Sequence, residues 1–164
     1  MRTSGRTHSL VPLRSWKGLE MRAGNMLGTD SSFRGSTRQL VIARAAVVVG
    51  LAYIAVIHVL DAGGKWGETR YIFWLYIALV IGALAAGALL LREESRRVWS
   101  LCAVVAASPL IGYVLDRSTG LPQASKDIGN WAEPLGLLSV VIEICVLAVC
   151  LYRLLRPTSR TNPA

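Results

Sequence analysis

The run Tyr71–Leu91, YIFWLYIALVIGALAAGALLL, decides the fold because it contains no charged residue. A hydrocarbon core of about 30 Å needs about 20 helical residues at about 1.5 Å rise each. This run meets that length unaided. Three more runs do so or come close: Leu40–Leu60, Val98–Leu115 (shorter, with Pro109 inside it) and Leu135–Leu155. The connections are about ten, six and nineteen residues long, which favours antiparallel neighbours. The fold class is all-α, a transmembrane four-helix bundle preceded by a basic tail.

Composition supports the same reading. The chain has 164 residues, 53% hydrophobic and 17% charged, with mean hydropathy +0.46. These values exclude a disordered chain, a coiled coil and a disulfide-rich scaffold. Cys102, Cys145 and Cys150 lie within the spans and form no CxxC pair, so they read as small packing residues.

Residues 1–38 are rich in Arg, Ser, Gly and Thr without sustained periodicity, and read as a mostly disordered tail. Residues 39–156 form the membrane domain and 157–164 a short C-terminal tail. Fourteen of the eighteen basic residues fall on the side of the two tails and the second connection, counting Arg44 as snorkelling back to it. The net charge of +8 is therefore mainly a topology signal. It places both termini in the cytoplasm by the positive-inside rule, with anionic lipid as the counter-charge. Nucleic acid is not an expected partner, because the basic residues share no folded face. Aromatic residues near the span ends, namely Trp66, Tyr71, Trp74, Trp99, Tyr113, Trp131 and Tyr152, fit an interfacial belt. The small pairs Ala46/Gly50, Gly82/Ala86, Ala83/Gly87 and Ser108/Gly112 suit close helix packing.

Three features invite chemistry. Glu143 lies about 12 Å into the fourth span, where an ionised carboxylate is costly, so it should face the bundle or a wet cavity, or stay protonated and hydrogen-bond a neighbouring helix. Ser108 and Tyr53 fall at similar depth, with Tyr76 and Ser139 shallower, as candidate members of one ligand or proton site. His58 and Asp61, at i and i+3, are weak metal candidates on one helical face. With Glu68, Asp116, Asp127 and Glu133 they would form an acidic cluster, and ion pairs with Lys65, Arg70 or Arg117 compete with a metal. No cofactor is implied, and no phosphate loop or catalytic motif is present. Finally, the long third connection carries turn signals at Gly120–Pro122 and Gly129–Asn130, and a helix start at Glu133–Pro134. It reads as an ordered outer loop with Asp127, Asn130, Trp131 and Glu133 as interaction candidates.

The run GLPQASKDIGNWAEPLG, followed by LSVVIE, resembles a segment of small four-span integral membrane proteins of high-GC Gram-positive bacteria. The matching positions are Gly120, Leu121, Pro122, Asp127, Gly129, Asn130, Trp131, Glu133, Pro134, Gly136 and Glu143, within the last third of the chain. The resemblance implies a class of protein in a bacterial plasma membrane, and no activity. It joins the loop and Glu143 into one unit. Two functional classes lead, with a redox or metal enzyme resting on His58 and the carboxylates as a third and weaker one. The first is a non-enzymatic accessory subunit that binds a membrane-protein partner through its outer loop. The second is a small oligomeric transporter or ligand-binding protein that uses Glu143.

Overall fold

The apolar runs become four helices in a computed structural model, which describes residues 14–156, with side chains from residue 37 onward. They are α1 (Arg14–Glu68), α2 (Arg70–Arg92), α3 (Arg96–Ser118) and α4 (Pro134–Leu155), with one 3₁₀ turn at Ser125–Asp127. Each contains a stretch long and apolar enough to cross a membrane, the one in α1 being Thr37–Glu68. Among the described residues, 41–156 pack as one unit and 14–40 belong to another.

One boundary differs from the sequence reading. Helical backbone begins at Arg14, within the basic tail. No proline interrupts residues 14–40, and extending a formed helix is easier than nucleating one. The tails expected at residues 1–13 and 157–164 lie outside the described residues. At its other end α1 runs past Leu60 to Glu68, so the first connection shrinks from about ten residues to Thr69 alone. Gly63, Gly64 and Gly67 each disfavour a helix by about 1 kcal/mol. Lys65 offsets this through ion pairs with Glu68 (3.7 Å) and Asp127 (3.3 Å), and Trp66 packs edge-on against Phe73. The Thr69 carbonyl then accepts from the Ile72 and Phe73 amides and starts α2.

The other helix ends follow capping chemistry. Ser95 caps α3, its Oγ accepting from the Val98 amide at 3.3 Å. Pro134 opens α4 behind Glu133. Pro109 inside α3 leaves the Val105 carbonyl without its helical amide, and the Ser108 hydroxyl donates to that oxygen at 3.0 Å.

At the end of the bundle that holds the α2–α3 turn, arginines serve neighbouring helices. Arg44 donates to the carbonyls of Leu90 (2.6 Å) and Leu91 (2.8 Å), and Arg96 to that of Leu154 (2.9 Å). These are C-terminal carbonyls of α2 and α4, which lack helical partners and attract a cation. Beneath them Val47, Leu51, Ala83, Ala86, Leu90, Cys102, Ala106 and Cys150 are buried almost without residual exposure. Val146 lies directly on Gly50, where a Cβ would collide with it. Ala46, the expected partner of Gly50 in a small pair, is exposed, and Val47 occupies the packed face instead. Many large apolar side chains face outward, among them Val49, Val56, Leu84, Val104, Val141 and Ile144. A surface this apolar belongs in lipid, and the chain is a multi-pass membrane protein. Trp66, Tyr71, Trp74, Trp131 and Tyr152 are exposed near helix ends as a belt requires. Trp99 is not: it is buried beneath the Arg153 guanidinium, 5.5 Å from its ring centre.

Candidate functional site

The opposite half of the bundle, toward the connection between α3 and α4, is hollow. A cavity of about 240 Å³ lies between the four helices. Its walls are largely apolar, with Ile57 from α1, Ile72, Leu75 and Leu79 from α2, Pro109 from α3, and Leu135 and Val140 from α4. His58, Tyr76, Ser108, Ser139 and Glu143 add polar groups.

Glu143 is 1% exposed and marks the boundary between the hollow half and the packed one. Val146 and Cys150, its successors on the buried face of α4, belong to the dry core. Ser139, one turn earlier, donates its hydroxyl to Oε1 of Glu143. No other hydrogen bond or ion pair reaches this carboxyl from the described residues. A charged carboxylate in such surroundings requires a cationic or hydrogen-bonding partner.

His58 lies on the α1 wall. Its Nδ1 donates to the Ile54 carbonyl at 2.9 Å, and its ring meets Tyr76 edge-on at 5.0 Å between centroids. The carbonyl can only accept, so Nδ1 carries the proton and Nε2 is the nitrogen left for another contact. Asp61, the next turn of α1, lines the same cavity. Among the described residues no group of three or more His, Cys, Asp and Glu side chains is arranged to hold a metal ion.

Toward the connection the cavity meets an ion-pair network. Arg117, in the last turn of α3 and 6% exposed, pairs with Glu133 and with Asp127 (3.3 Å), and donates to the Asp127 carbonyl (3.2 Å). Asp127 also pairs with Lys65, so one carboxylate ties α1 and α3 to the loop. Hydrogen bonds to backbone carbonyls complete the tie: the Gly129 amide donates to Arg117 (2.9 Å), the Tyr71 hydroxyl to Pro122 (2.7 Å) and the Tyr113 hydroxyl to Trp131 (2.9 Å). The loop turns through positive φ at Gly120, Gln123 and Gly129. Gly120 is needed twice over, since a Cβ there would also press on Ile128.

The expected site residues therefore separate. Glu143, Tyr76 and Ser108 line one cavity, together with Ser139, His58 and Asp61. Tyr53 does not join them. It is 57% exposed on the outside of α1, lying about 100° around the helix from the buried Ile54 and beyond the edge of the packed face. The Ser108 hydroxyl proton is committed to the proline gap in α3, leaving its oxygen as an acceptor. In the loop, Asp127 and Glu133 turn inward to Arg117, whereas Asn130 and Trp131 are exposed. Arg117 is the organiser that sequence reasoning undervalued, having counted it only as a counter-charge. Its position at the end of a span, with acids on both sides of a turn-rich segment, was the available signal. Comparison with known protein families, curated proteins and solved structures finds no match to this chain.

Proposed function

We propose that this chain is a non-enzymatic protein of the bacterial plasma membrane that holds a small ligand between its four helices, with Glu143 as the polar anchor. One observation carries the reading: a cavity of about 240 Å³ meets a buried carboxyl group that has an oxygen to spare. Concave, mostly apolar sites with a few convergent polar groups are how proteins bind small molecules. The charge bias supports cytoplasmic termini, which turns the cavity and the tied loop toward the outer side. In this reading Asp127 and Glu133 fasten a cover over the site.

Leu79→Trp tests the proposal by filling the cavity from the α2 wall. Native mass spectrometry of protein extracted from its own membrane should find a bound small molecule in the wild type and none in this variant. Identical spectra from the two proteins would overturn the binding role. Orientation is checked separately with Lys126→Cys in intact cells, which an impermeant maleimide should label from outside. Protection of that cysteine would reverse the topology.

A second reading, attachment to a membrane-protein partner, draws support from Trp131 and Ile128, which are 45% and 48% exposed on the same loop. It predicts that Trp131→Ala releases a stoichiometric partner while the bundle stays folded. Unchanged co-purification would remove it.

A further inference from the structure

We infer that the ligand is a hydrophobic amine in its protonated form, with its ammonium group seated on the Glu143 carboxylate. The inference rests on the binding role proposed above and names the chemistry of its occupant. Three observations lead to it.

The first is the missing cation. Glu143 is 1% exposed, and its Oε2 receives no hydrogen bond from the described residues. The two cations that line the cavity, Lys65 and Arg117, lie at the far end, where Asp127 and Glu133 already engage them. Glu133 and Glu143 are ten residues apart, about 15 Å along a helix axis. The second is the charge of the lining: four carboxylates (Asp61, Asp116, Glu133 and Glu143) face two cations. That excess attracts a positive ligand and repels an anion. The third is the wall. Between Glu143 and the ion-pair network it is aliphatic at Ile57, Leu75 and Leu79, with the ring of Tyr76 beside them. Aliphatic walls take an apolar body, and tyrosine faces favour a nearby cation. A cavity of roughly 150 Å³ accommodates benzene, so about 240 Å³ takes a ring bearing a short aminoalkyl chain.

A matched pair of probes separates charge from shape. The protein, in nanodiscs of neutral lipid at pH 7, is titrated with 4-fluorophenethylamine and with 2-(4-fluorophenyl)ethanol, followed by ¹⁹F NMR. The amine should bind at least tenfold more tightly than the alcohol. Glu143→Gln should bring the amine down to the affinity of the alcohol while alcohol binding persists, which also reports that the variant is folded. Equal affinity of the two probes for the wild type, or a preference for the amine that survives in Glu143→Gln, would overturn the cationic ligand and leave the binding role standing. Failure of the wild type to bind either probe would overturn both. If Glu143→Gln binds neither probe, Glu143→Asp decides: a retained amine preference supports the inference, and its loss overturns it.

Discussion

The two halves of the bundle solve the same problem of ending helices in opposite ways. Around the α2–α3 turn, Arg44 and Arg96 reach across to carbonyls of other helices, and the space beneath fills with Val47, Leu51, Leu90, Cys102 and Cys150. Around the α3–α4 connection, Lys65 and Arg117 are held by carboxylates of the loop, and the space beneath is a cavity. Both pairs of cations sit where helix C-terminal carbonyls accumulate, as dipole electrostatics favours. In the first half small side chains let backbones close up, since lipid gives apolar groups no drive to associate and close packing must do the work. In the second, a loop fastened by charge spans the helices, so they need not meet.

That contrast can be attacked from either side. The largest effect is expected from Gly50→Leu, which drives a side chain into Val146 in the packed half. Overpacking of this kind should destabilise by about 3 kcal/mol or more, measured by steric trapping in bicelles. A neutral result would mean the packed half is softer than its burial indicates. Next comes Arg117→Leu, which leaves Asp127 and Glu133 without their shared cation. Breaking a fully buried pair costs about 3–5 kcal/mol, and the partial exposure of both acids lowers the expectation to about 2 kcal/mol. Hydrogen exchange should rise selectively in residues 119–133, and a uniform rise over all four helices would contradict the division into halves.

Ser108→Ala should cost about 1 kcal/mol by leaving the Val105 carbonyl unserved beside Pro109. An unchanged melting temperature would show that the hydroxyl is free for a ligand instead. The smallest effect belongs to Tyr53→Phe, expected to alter stability by less than about 0.5 kcal/mol and to leave amine binding as it was. A change in affinity of tenfold would return Tyr53 to the site.

These side chains also show where sequence reasoning reaches its limit. Glu143 was conspicuous because a carboxyl among Val141, Ile142, Ile144 and Val146 breaks an apolar run, and that anomaly is visible without coordinates. Tyr53 was grouped with it by depth, a quantity that counting residues supplies. Depth says nothing about azimuth between helices, and Tyr53 proved to face outward. Trp99 failed for the same reason: its place near a helix end suggested the interface, while helix rotation put it under Arg153. The loop acids were recognised as important, yet their direction depended on where the last turn of α3 presents Arg117.

The sequence by itself determined the number of spans and their approximate positions, because membrane thickness and helical rise act locally on any apolar run. It also singled out the buried carboxyl. The tertiary structure decided that α1 continues to Glu68, that Asp127 joins Lys65 to Arg117, and that Glu143 stands at the border of a cavity rather than in contact with a basic residue. Those outcomes depend on the rotation and spacing of helices against one another. Such geometry is set by the sum of many side-chain contacts, and no single stretch of the chain contains it.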